Sequence, residues 1–117
     1  MTSCYHCRVV RVCPDPLRDE GAAGVVICRV YNETASSYIL RVNPLWEELL
    51  RCTPPSVQQY LTALLEDWQL SLSAGPEAAD LSFASLDDVS VGYLRVEDYY
   101  IPDGKGLEKR MAKLFEG

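Results

Sequence analysis

Long apolar runs are missing from this 117-residue chain. The longest uninterrupted small or apolar stretch, Ala22–Cys28, falls far short of the ~18 to 20 residues of a membrane-spanning helix. No charged-then-apolar leader follows Met1. A cytoplasmic protein without a membrane partner is the expectation. Histidine is nearly absent as well: His6 stands alone, and no Gly-x-Ser-x-Gly elbow occurs anywhere. Gly104-Lys105-Gly106 lacks both the preceding glycine and the following Ser or Thr of a phosphate loop, and reads as a turn. Nucleophile–base and phosphate-loop chemistry thus lack their residues. The sequence assigns no catalytic residue and no cofactor, and points away from an enzyme.

Cysteine is present in an odd number, five, which argues for reduced thiols over a disulfide framework. Cys4, His6, Cys7 and Cys13 have a superficial zinc-ligand look. A second Cys or His pair is missing downstream, however, and on an extended strand Cys4 and Cys7 point to opposite faces. No metal site is therefore assigned, and Cys13, Cys28 and Cys52 read as small buried hydrophobes.

What the chain does have is globular composition, 48% hydrophobic and 24% charged, at a length suited to one domain spanning residues 1–117. Its net charge of −6 is unevenly spread. Residues 1–52 balance six arginines against six acids, residues 53–103 set Arg95 against nine acids, and residues 104–117 reverse the sign with Lys105, Lys109, Arg110 and Lys113 against Glu108 and Glu116. A negative overall field disfavours nonspecific nucleic-acid binding. Asp87, Asp88, Glu97, Asp98 and Asp103 could in principle gather on a hard cation, but each falls in or beside an expected turn and reads as solvated.

Periodicity gives the elements. Tyr5–Cys13 reads as a first strand ended by Pro14-Asp15-Pro16, Gly24–Tyr31 as a second, and Ser37–Val42 as a third, hairpin-paired to the second. Asn43-Pro44 looks like an N-cap and first helical position, opening a short helix whose Leu45, Trp46, Leu49 and Leu50 share a face. Next, Ser56 and Gln59 have capping-box spacing, and Val57, Tyr60, Leu61, Leu64, Leu65, Trp68 and Leu72 recur at helical steps until Gly75-Pro76. Residues 77–88 stay unassigned, with Leu81–Leu86 fitting a strand. Val89–Tyr100 reads as one long strand bulged near Gly92, and a final amphipathic helix begins at Leu107. This order predicts an α+β fold: a mainly antiparallel sheet of four to five strands with two or three helices packed on one face, and the other face at least partly open.

One arrangement repeats. Arg11-Val12, Arg29-Val30, Arg41-Val42 and Arg95-Val96 each place an arginine before a valine on a strand. If the valines face the helices, alternation puts Arg11, Arg29, Arg41 and Arg95 on the open face, joined by Tyr31 and Tyr93. Guanidinium planes and phenol rings suit carboxylate, phosphate or stacked-base partners. The plain alternative is a solvated sheet surface with cross-strand ion pairs to acids such as Glu97.

The stretch from Arg11 through Pro14, Asp15, Arg18 and Glu20, followed by Gly24-Val25-Val26-Ile27, resembles the N-terminal signature of domain-of-unknown-function family 3037, a family of small bacterial proteins. The resemblance implies no activity. It implies a bacterial, cytoplasmic α+β protein, a companion of kinase-like toxin proteins, with Pro14, Asp15, Arg18 and Glu20 in the loop between the first two strands. The resulting expectation is a non-enzymatic protein-binding module that engages an acidic partner through the Arg/Tyr face and this loop. A nucleotide or nucleic-acid binder using the same arginines and a small metal-dependent hydrolase using the acidic turns are the alternatives, and a homodimer stays open.

Overall fold

The computed structural model describes residues 5–15, 17, 21–31, 36–89, 92–101 and 107–116, with the backbone alone at Tyr31, Ser36 and Glu116. Strands β1 (Tyr5–Val12), β2 (Ala22–Tyr31) and β3 (Ser36–Val42) are followed by helices α1 (Trp46–Arg51), α2 (Pro55–Ala74) and α3 (Pro76–Ser85). A 3₁₀ turn at Leu86–Val89, strand β4 (Leu94–Ile101) and helix α4 (Leu107–Glu116) complete the chain. The fold is α+β, and the four strands form one antiparallel sheet in the order β3-β2-β1-β4.

The sheet has an apolar layer on each side. On one side Val10, Val12, Val25, Ile27 and Leu94 meet Leu61, Leu65 and Trp68 of α2, with Phe83 of α3 and Leu86 of the turn after it. On the other side Cys7, Val9, Val26, Cys28 and Ile101 meet Met111 of α4, with Leu107, Leu114 and Phe115 packed at the margin. Helices α1–α3 thus share one face, as expected of two or three helices, whereas α4 covers the second face, expected to be at least partly open. The central strands explain this: Val25, Val26, Ile27 and Cys28 are all fully buried, so β2 is apolar on both sides and needs a cover on both.

Several local expectations shift. Helix α1 starts at Trp46 rather than after Asn43, because the Asn43 side chain closes a turn by accepting from the Leu45 N–H (2.8 Å) while its amide donates to the Ala23 carbonyl (2.8 Å). The capping box at Ser56 and Gln59 does not form: the residue capping α2 is Pro54, without a side-chain cap. Gln58 instead donates to the Thr53 carbonyl (2.8 Å) and fixes the approach to the helix. Residues 76–85 are helical, with Pro76 at the first position, where its missing N–H costs nothing. The bulge expected at Gly92 lies between Val10 and Arg11, opposite Gly24. Gly92 sits in the turn before β4 at φ +61°, a conformation that suits glycine.

Cysteine chemistry also departs from the reduced-thiol expectation. Cys7 and Cys28 are register partners on β1 and β2 and form a disulfide, both fully buried beneath α4. Cross-strand neighbours are close in space at any sequence separation, which an odd cysteine count does not reveal. Cys13 is buried as expected, whereas Cys52 is exposed. Among the described residues, no helix is long and apolar enough to cross a membrane.

Candidate interaction surface

The arginine-valine repeat holds on three of four strands. Val12, Val42 and Val96 pack toward α1–α3, which sends Arg11, Arg41 and Arg95 to the α4 side. On β2 the phase is reversed: Arg29 pairs with His6 and Tyr38 on the α2–α3 side, its guanidinium 4.9 Å from the centre of the Phe83 ring. The expected four-arginine face is corrected to three. Tyr93 does not join it, lying beside Ser56, Val57 and Tyr60 of α2. The Tyr31 side chain, Arg18 and Glu20 lie outside the described residues. Pro14 and Asp15 are exposed, and Asp15 accepts from the Leu17 N–H (3.0 Å) in a local turn.

The three co-facial arginines differ in availability. Arg11 is mostly buried and held by Glu97 (2.9 Å), whose carboxylate also takes the Tyr99 hydroxyl (2.7 Å). Arg95, its register partner on β4, donates to the Gly92 and Leu94 carbonyls (both 2.8 Å). Arg41 stands two strands away on the edge strand β3, roughly 10 Å off by strand spacing. Its side chain is half exposed and forks onto the Glu108 carboxylate of α4, while a third nitrogen donates to the Leu40 carbonyl (3.0 Å).

Beside that pair runs a groove of about 550 Å³ between α4 and the segment joining β3 to α1. Val42, Pro44 and Leu45 form one wall, and Met111, Ala112 and Phe115 the other. Glu108, Met111, Ala112 and Phe115 share one stripe of α4 by helical spacing. Lys109 and Lys113 are exposed on the same helix, turned away from its buried face. The arrangement is mostly apolar inside, with the Arg41–Glu108 ion pair at the margin. Periodicity points to α4 and to Arg41 separately; their meeting depends on α4 crossing the sheet, which no local signal encodes.

The remaining sequence candidates are drawn into structural contacts. Glu97 and Asp98, expected in turns, lie within β4. Asp98 takes hydrogen bonds from His6 Nε2 (2.8 Å) and Arg8 Nε (2.9 Å). Asp87 holds the other end of Arg8, and Asp103 lies outside the described residues. Burial works against the charged form of Asp98, but His6 and Arg8 more than offset it and hold the carboxyl below its usual range. Glu97 is lowered first by the Tyr99 hydrogen bond and then by Arg11, against a burial penalty. Cys7 is committed to its disulfide and His6 points to the opposite face, so these two do not converge on a metal; Cys4, the other member of the apparent zinc set before Cys13, lies outside the described residues. Comparisons with protein-family models, curated proteins and solved structures found no match to this chain.

Proposed function

We propose that the protein is a non-enzymatic binding module that engages an acidic protein partner through the α4 side of its sheet. The observation that carries this reading is the exposed Arg41, set with its ion-pair partner Glu108 at the margin of a largely apolar groove, with Lys109 and Lys113 exposed on the same helix, in a chain of net charge −6. Cation next to apolar cavity is the composition of an interface centre: the cavity supplies desolvation, and the guanidinium adds a directional contact to a carboxylate. Arg11, held by Glu97, and its register partner Arg95 lie on the same face, with the loop that begins at Pro14 and Asp15 at the end of their strand pair.

Affinity capture from the native host, with the parent and an Arg41→Gln, Lys109→Gln, Lys113→Gln variant as matched baits, tests the reading. It requires an acidic protein captured by the parent, lost from the variant, and rebinding in purified form with salt-dependent affinity. Identical captures by the two baits, or a capture abolished by nuclease, would overturn it.

A further inference from the structure

Arg41 and Glu108 belong to elements far apart in sequence, and their pairing spans the end of the groove. Both side chains are about half exposed or more. An exposed ion pair contributes only ~0 to 1 kcal/mol, so opening it costs little, and another carboxylate can take the same two donors. Arg41 stays oriented meanwhile through its bond to the Leu40 carbonyl. The groove beyond is within the ~300 to 1,000 Å³ of ordinary ligand sites, and its walls are mostly apolar, with Asn43 and the Arg41–Glu108 pair as their polar groups. A ligand that fills it must present an apolar group there and a carboxylate toward Arg41 at the margin. Small anions satisfy only the second requirement; a peptide segment with an apolar residue set among acidic ones satisfies both.

Resting on the binding reading above, we propose that this groove receives the apolar anchor of an acidic peptide segment, and that Glu108 is an internal competitor whose place on Arg41 the partner's carboxylate takes. Glu108 then sets the threshold for binding: weakly acidic segments do not displace it, while a segment that also fills the groove does.

Two fluorescein-labelled peptides separate the parts, a decamer of aspartate and glutamate with one central phenylalanine and the same decamer with serine in that place. Fluorescence anisotropy with the parent protein should show the phenylalanine peptide binding roughly tenfold tighter or more, the gain from burying one aromatic ring. Ala112→Leu, which fills the groove from an exposed helical position, should remove that advantage while leaving the serine peptide unchanged. Glu108→Gln, which deletes the competitor, should tighten both peptides several-fold; Arg41→Gln should weaken both. Thermal melts of each variant check that α4 stays folded. Equal binding of the two peptides, or indifference to Ala112→Leu, overturns the groove assignment and leaves the charge-based reading standing. Unchanged or weaker binding by Glu108→Gln overturns the displacement. Failure of both peptides to bind overturns the inference as a whole, while the host capture decides the broader reading independently.

Discussion

Arg8 is the residue whose environment most constrains the molecule. A buried arginine is costly unless every donor finds a partner, and here the guanidinium reaches the Phe83 carbonyl (2.7 Å), Asp98 (2.9 Å) and Asp87. It ties the end of α3 and the following 3₁₀ turn to the sheet, and its guanidinium lies 5.2 Å from the centre of the Phe83 ring. Replacing it with alanine leaves a buried carbonyl unpaired, so Arg8→Ala should cost about 2 to 3 kcal/mol in chemical denaturation, far more than an exposed arginine such as Arg41. The carboxylates give a pH signature. Asp98 and Glu97 titrate lower in the folded protein than in the unfolded chain, so their contribution is fully present above the unfolded carboxyl range of ~3.9 to 4.3 and is lost as pH falls through the lower folded values. Melting temperature should hold level at neutral pH and drop on acidification below about pH 4, and Asp98→Asn should flatten that drop.

At the scale of elements, α2 carries the main apolar layer. Leu61, Leu65 and Trp68 recur at helical steps on its buried face, with Trp68 only 3% exposed. Trp68→Ala should destabilise the protein by about 3 to 5 kcal/mol, whereas Gln69→Ala, one position around the helix and exposed, should be nearly silent. Equal costs in denaturant titration would contradict the packing. Helix α1 is placed by a different device. A β-carbon at Gly24 would stand 2.7 Å from the Trp46 ring, so the absence of a side chain there lets α1 lie directly against the bulged end of β2. The periodic face of α2 is legible in the amino-acid sequence, because α2 is long and amphipathic; the helix at 76–85 is not, because its apolar and small residues do not mark one clear stripe.

The whole molecule joins its two layers through the sheet, and the Cys7–Cys28 disulfide sits in the thinner one, under α4. The bond closes a loop across a sequence separation of 21, and a cross-link of that span restricts the unfolded chain by ~3 kcal/mol. Melting under a dithiol reductant should therefore occur at a clearly lower temperature. Under denaturing, non-reducing conditions, alkylation should label Cys13 and Cys52 but reach Cys7 and Cys28 only after reduction. Labelling of all four without reductant would contradict the cross-link.

By itself the sequence determined the α+β class, the first three strands within two residues and the body of the fourth, whose start it set too early at Val89, the buried stripe of α2 and the amphipathic α4, because each rests on local periodicity and turn chemistry. It also placed Arg11, Arg41 and Arg95 on a common side, since each is followed by a valine that packs toward α1–α3. It could not phase Arg29, because β2 is apolar on both sides and alternation, the signal that assigns a face, vanishes in such a strand. The disulfide, the crossing of α4 over the second face and the meeting of Arg41 with Glu108 were decided by tertiary structure alone. Each joins residues far apart in the chain through strand register and helix docking, and those depend on how two apolar layers are buried at once rather than on any local pattern.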